Sequence, residues 1–150
     1  MSTTSAAGAE SDPRPPKPRP AAVPDPDNAR YLEAGLEGRL VVQRCDACGH
    51  HQLYGRALCS VCANDVSWVP VTGRGTVASF TVIRQNHSRP WREMLPYVVA
   101  LVDLDEGARL MTNIVGCDPQ DVSIGMKVRV RFEKVSDDAA IALFEPAERG

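Results

Sequence analysis

Apolar and polar residues alternate with a period of two through the second half of the chain. Val77–Ile83, Tyr97–Leu104, Arg109–Val115, Lys127–Glu133 and Ala140–Phe144 all read as strands on this pattern, and β-branched residues recur in them. The alternation is cleanest in Lys127–Glu133. There Val128, Val130 and Phe132 fall on one face and Arg129, Arg131 and Glu133 on the other. Asp105-Glu106-Gly107 marks a tight turn after the second strand, and Asp137-Asp138 marks one before the fifth. Five strands, a long first connection and a further link at Gly116–Met126 predict a small Greek-key barrel of OB type, with another small β-barrel or sandwich as the alternative. The link at Gly116–Met126 is short for the helix usual at that place. A single turn at Pro119-Gln120-Asp121 is expected to cap the barrel bottom instead.

The first half has a different texture. Ala29–Ala34 reads as a short helix, with Tyr31, Leu32 and Leu36 placed for one face, Asp27 or Asn28 as N-cap, and Gly35 and Gly38 at its end. A helix this short is marginal alone, so it must dock, either on the segment that follows or on a partner chain. Leu40–Arg44, His51–Tyr54 and Val66–Pro70 are strand-like. Before Asp27 lie seven of the twelve prolines and almost no large apolar residue. Residues 1–27 therefore read as a Pro-rich tail, disordered or polyproline-like, because it buries too little to offset its ordering entropy.

The strongest chemical signal sits between the strand-like segments of the first half. Cys45-Asp46-Ala47-Cys48-Gly49 and Cys59-Ser60-Val61-Cys62 are two CxxC pairs ten residues apart. A CxxC turn aims two thiolates at one ion, and a second pair completes a four-sulfur tetrahedral site. Gly49 suits a knuckle whose backbone N–H groups point at sulfur, and Asn64 is placed to adopt a left-handed conformation in the second knuckle. The outline is a zinc ribbon. Zinc suits four thiolates; a mononuclear iron site of rubredoxin type has the same ligands. His50 and His51 are substitute ligands that four cysteines make unnecessary. Four thiolates leave no open position for water or substrate, so the metal is expected to be structural. Cys117 remains as a small buried residue.

Charge and composition narrow the function. A net charge of −2 argues against bulk nucleic acid as the main partner. No apolar run approaches the roughly 18–20 residues that span a bilayer. No secretory pattern opens the chain, so it reads as cytoplasmic. No Ser/His/Asp or Cys/His constellation stands out, and no catalytic residue is assigned. The informative loop is Arg84–Pro96, between the first two barrel strands, where OB-folds often bind ligands. Arg84, His87, Arg89 and Arg92 surround Trp91 there. Such a set suits a protein interface, or the phosphates and base of a CoA thioester.

These residues form an ordered series: the two CxxC pairs, Trp68, Gly73-Arg74-Gly75-Thr76-Val77, Pro96-Tyr97-Val98-Val99-Ala100, Gly107, Asn113-Ile114 and Ile124-Gly125-Met126 before Val128. The series, over about residues 27–146, resembles a family once known only as a domain of unknown function. The resemblance implies an N-terminal helix, a rubredoxin-like zinc ribbon and a C-terminal OB-fold. It divides the chain into a tail at 1–27, helix and ribbon at 28–72 and barrel at 73–150. It further implies an accessory role in a hetero-oligomer with a thiolase-like or lipid-transfer-protein-like aldolase subunit that acts on an acyl-CoA, including steroid side-chain substrates. Tyr31 and the Trp91 loop are then the expected partner or CoA contacts. A free acyl-CoA-binding module and a single-stranded nucleic-acid-binding module are the alternatives. The chain departs from the family pattern at Tyr31-Leu32, where Phe-Trp is usual. It departs again at Gly55-Arg56, where Pro-Arg is usual, and after Cys59, where a Pro is common. These differences bear on packing and partner choice rather than on the metal.

Overall fold

A computed structural model of the chain describes residues 19–148. The tail expected over residues 1–27 therefore lies, up to residue 18, outside the described residues. The elements run in the order α1 (Ala29–Leu36), β1 (Val41–Cys45), β2 (His51–Gln52), β3 (Val66–Pro70), β4 (Arg74–Ile83), α2 (Arg89–Arg92), β5 (Tyr97–Leu104), β6 (Arg109–Ile114), β7 (Lys127–Ser136) and β8 (Ala139–Pro146). A 3₁₀ turn at Pro119–Asp121 stands in the β6–β7 link, where a single turn was expected. The fold is mainly β: an N-terminal helix, a three-stranded ribbon and a five-stranded OB barrel.

The ribbon sheet has the order β2-β1-β3, and the barrel closes in the order β4-β5-β6-β8-β7. All barrel pairings are antiparallel except β6 with β8, which run parallel and meet at Ile114 and Phe144. A β-bulge between Val77 and Ser79 bends β4 around the barrel. The alternation read from the sequence sets the interior. Val98, Ala100, Val102 and Leu104 of β5 point inward, and Tyr97, Val99, Leu101 and Asp103 point outward. Phe144 of β8 is fully buried. Val98, Val102, Leu104 and Phe144 each contribute about 1.5–3 kcal/mol by leaving water.

Leu40 and Val42 join the same apolar cluster as Val77, Val98, Val102 and Phe144, so ribbon and barrel share one core. Tyr31 and Val69 pack against its margin.

The leading helix departs from expectation in three ways. Within the chain it docks on β8 of the barrel more than on the ribbon. Its buried residues are Leu32, Ala34 and Gly35, while Leu36 is exposed. The reason is a close approach. A Cβ at Gly35 would stand 2.8 Å from the Ala140 carbonyl oxygen, so the helix backbone comes this close to the strand only where it presents glycine. The third departure is the cap. Asn28 makes no side-chain cap. Asp25 Oδ1 instead accepts hydrogen bonds from the Asp27 and Asn28 N–H groups, at 2.9 Å each.

Arg19 marks where the described chain begins, and it is docked. Its Nη1 donates to Asn113 Oδ1 at 3.1 Å, its Nε lies 3.3 Å from Glu133, and its guanidinium stands 5.3 Å over the Trp91 ring. No described helix is long and apolar enough to cross a membrane.

Candidate metal centre and docking surface

The β1 strand delivers Cys45 at its end, and a turn over Asp46–Cys48 brings back Cys48. Gly49, at φ +77, closes this first knuckle with its N–H on the Cys45 carbonyl. The second knuckle repeats the geometry, with Ala63 at φ +59 donating to the Cys59 carbonyl. The left-handed residue is thus Ala63, not Asn64 as the sequence suggested. The position after each CxxC must turn left-handed, and Ala63 occupies the one equivalent to Gly49. Asn64 serves the sulfurs instead, and its side-chain amide donates to Cys62 Sγ at 3.2 Å.

The four cysteine sulfurs all lie within 4.8 Å of one another, with Cys45 to Cys62 at 3.4 Å and Cys48 to Cys59 at 3.7 Å. A tetrahedron with zinc–sulfur bonds of about 2.3 Å has edges near 3.8 Å, so the set fits a zinc ion. Backbone N–H groups of Ala47 and Cys48 reach Cys45 Sγ, and that of Val61 reaches Cys59 Sγ. These donors favour thiolates. The Asn64 amide, side chain first and then backbone, draws the Cys62 thiol down to about 6. The N–H groups of Cys62 and Val61 lower that of Cys59. His50 and His51 stand outside the sulfur cluster among the described residues. A bound zinc would join the two knuckles and offset half the charge of four thiolates, with all four protein ligands in place.

Two buried glutamines hold the loop between the knuckles. Gln43 Oε1 accepts from the Arg56 N–H and from Gln52 Nε2, while Gln43 Nε2 donates to the Arg56 carbonyl, each at 2.9 Å. Gln52 Oε1 accepts from the Ser60 N–H at 2.9 Å. Tyr54 also carries no signal in the sequence for what it does. Its side chain is 58% exposed, and its hydroxyl accepts from the Met111 N–H of β6 at 2.9 Å, which ties ribbon to barrel.

The loop between β4 and β5 contains α2, a helical turn where the sequence pattern predicts only loop. Trp91 packs against Tyr97 with ring centroids 5.9 Å apart, and the Asn86 amide donates to the Tyr97 hydroxyl at 3.0 Å. Between this loop and the outer face of β5 and β6 lies a cleft of about 270 Å³, lined by Asn86, Trp91, Tyr97, Val99, Met111, Thr112 and Asn113. The apolar face continues past the cleft to Leu101, and Met111 is 58% exposed.

The residues singled out as contacts separate. Trp91 lines the cleft. Arg84, His87 and Arg92 are exposed on the loop, and His87 pairs with Gln85 at 3.5 Å. Arg89 is turned into an ion pair with Glu93 at 3.3 Å. Tyr31 does not line the cleft; it packs on the core margin, where burial and then Tyr54 hold its phenol above the usual range. Burial, with Asp121 and Asp118 nearby, also raises the half-buried Cys117 thiol.

A four-cysteine ribbon on a closed five-stranded barrel defines a zinc-ribbon OB-fold protein. Residues 32–67 match the family described as ChsH2, rubredoxin-like zinc ribbon domain, and residues 68–133 match ChsH2, C-terminal OB-fold domain. The chain belongs to the DUF35 family. It is 34% identical over 103 residues to a "DUF35 domain-containing scaffold protein" of Methanocaldococcus jannaschii, covering 66% of this chain and 71% of that one. It is 39% identical over 139 residues to the "Probable enoyl-CoA hydratase alpha subunit" of Thermomonospora curvata. That match takes in 92% of this chain but only 42% of the relative's length. Among solved structures, a chain of the "Ltp2-ChsH2(DUF35) aldolase" superposes with a TM-score of 0.74 at 37% identity, over 87% of this chain and 100% of that one.

Proposed function

We propose that this chain is a non-catalytic accessory subunit that docks on a thiolase-superfamily enzyme and helps to form its acyl-CoA channel. The observation that carries the reading is the outward-facing apolar stripe of the barrel. On the outer face of β5 and β6, Val99, Leu101 and Met111 stand where a barrel ordinarily presents polar residues, beside the Trp91 cleft. A contiguous apolar patch rimmed by aromatic and arginine side chains suits a protein interface. The likeness to the Ltp2-ChsH2(DUF35) aldolase supports a retro-aldolase or thiolase as the partner, and the sequence resemblance favours a steroid side-chain acyl group. The closed set of four thiolates supports a structural rather than a catalytic metal.

The test is co-expression with the thiolase-superfamily enzymes of the same genome, followed by affinity capture and an acyl-CoA cleavage assay. A stable complex is expected, with activity that the captured enzyme loses without this chain. Met111→Glu should weaken capture at least about tenfold, because a charge would be buried in the interface. A chain that stays alone in every mixture would sink the reading. Direct binding of an acyl-CoA to the isolated chain, measured by calorimetry, would favour the free carrier instead.

A further inference from the structure

We propose that Trp91, Asn113 and Glu133 form a guanidinium receptor on the barrel, and that Arg19 fills it as a latch on the β4–β5 loop. The three groups come from separate elements: Trp91 from α2 in that loop, Asn113 from β6 and Glu133 from β7. The fold gathers them around one point. The Arg19 guanidinium stands 5.3 Å over the Trp91 ring, its Nη1 donates to Asn113 Oδ1 at 3.1 Å, and its Nε lies 3.3 Å from Glu133. A guanidinium is planar and carries its donors in a fixed fork, so it can lie over an aromatic face while its edges reach two acceptors. An ammonium is a point charge and does not span such a set.

The receptor is built without Arg19. Asn113 Nδ2 donates to the Val98 carbonyl at 2.8 Å, which leaves Oδ1 free to face the ligand. Tyr97 backs the Trp91 ring with centroids 5.9 Å apart, and the Asn86 amide holds the Tyr97 hydroxyl at 3.0 Å. Arg131, the other cation lining the hollow beside Glu133, is turned to Glu145 at 3.7 Å. That leaves Glu133 to Arg19.

Arg19 is buried where the strap behind it is not. Its side chain is 10% exposed, whereas residues 20–27 are exposed except for the half-buried Ala22. The next fixed point is the Asp25 turn, where the Asn28 and Ala29 N–H groups donate to the Asp25 carbonyl at the start of α1. A segment exposed along its length and pinned at two ends is released by the loss of one pin. Closed, the latch joins the β4–β5 loop to β6 and β7 and fixes Trp91, one wall of the cleft. The contacts that close it are of individually weak kinds, so a guanidinium from solution can take the place of Arg19. All of this holds in the isolated chain, whether or not it docks on a partner enzyme.

The experiment uses the full 150-residue chain and its Arg19→Ala variant, both loaded with zinc and followed by nuclear magnetic resonance. The Trp91 indole N–H signal is expected to move in the variant, while that of Trp68 in the ribbon stays in place. Ethylguanidinium titrated into the variant should return the Trp91 signal toward its wild-type position. The wild type should not respond, because its receptor is filled. Ethylammonium should leave the variant unchanged. Adding Glu133→Gln to the variant should weaken ethylguanidinium binding about threefold or more. Exchange of the amides of residues 86–95 should speed about tenfold in the variant and slow again with ethylguanidinium. An indole signal unmoved in the variant, or ethylguanidinium and ethylammonium acting alike, would overturn the receptor. Unchanged amide exchange would overturn the latch. Failure to capture a partner enzyme would leave these readouts unchanged, so the two proposals can fail separately.

Discussion

Gln43 shows how much one polar side chain can decide. It is 4% exposed, and its amide makes three hydrogen bonds that fix the loop between the knuckles. Replacing it by Leu leaves the Arg56 N–H and carbonyl and the Gln52 amide short of partners. Gln43→Leu should therefore destabilise the metal-loaded protein by about 1–3 kcal/mol, read from urea denaturation at fixed zinc. An unchanged midpoint would mean that water satisfies the loop. The four cysteines were legible in the sequence because their spacing is local and only a tetrahedral site explains it. Gln43 and Gln52 were not, because their partnership exists only through the β1–β2 register that sets them opposite each other. The same holds for Ala63. Residue preference pointed to Asn64, but the geometry after the CxxC turn fixes the left-handed position one residue earlier.

At the scale of elements, the leading helix depends on its smallest face. Gly35 lets the helix backbone approach β8, and Leu36 points away from the interface. Gly35→Val should cost about 1–3 kcal/mol by forcing helix and strand apart. Leu36→Ser should stay within about 0.5 kcal/mol, as an exposed position does. Thermal denaturation of the two variants checks both. The reverse order would mean that Leu36 belongs to the docked face with Tyr31 and Leu32, as periodicity alone suggested. The strands were easier to read than the helix. Period-two alternation over several residues registers a buried face directly, whereas of the helix's buried residues only Leu32, and not Ala34 or Gly35, carries a strong hydrophobic signal. The short α2 turn was hidden for a related reason. Four residues, one of them Pro90, are too few to establish a helical period.

Across the whole molecule, ribbon and barrel are joined through one apolar core. Leu40 of the segment leading into β1, and Val42 of β1 itself, lie in the barrel's apolar cluster. Chelation of the metal under reducing conditions should therefore lower the stability of the entire chain in a single transition, seen alike by near-ultraviolet circular dichroism and by loss of amide protection in β5. A barrel that kept its melting temperature after metal removal would show two independent units instead. The OB type of the barrel was foreseeable from strand count and connection lengths. The shared core was not, since nothing local in Leu40–Arg44 tells which sheet its apolar side chains meet.

The Tyr54 hydroxyl on the Met111 N–H also guards a strand edge. Without it, β6 would offer a free backbone donor flanked by exposed apolar side chains, the kind of edge on which other chains add strands and aggregate. Tyr54 is held in place by the ribbon, and the ribbon by its metal. A cell short of zinc would thus accumulate chains with an uncapped edge, prone to self-association and open to chaperones and proteases. Light scattering of the chelated protein should rise with time, and Tyr54→Phe should raise it even with zinc bound.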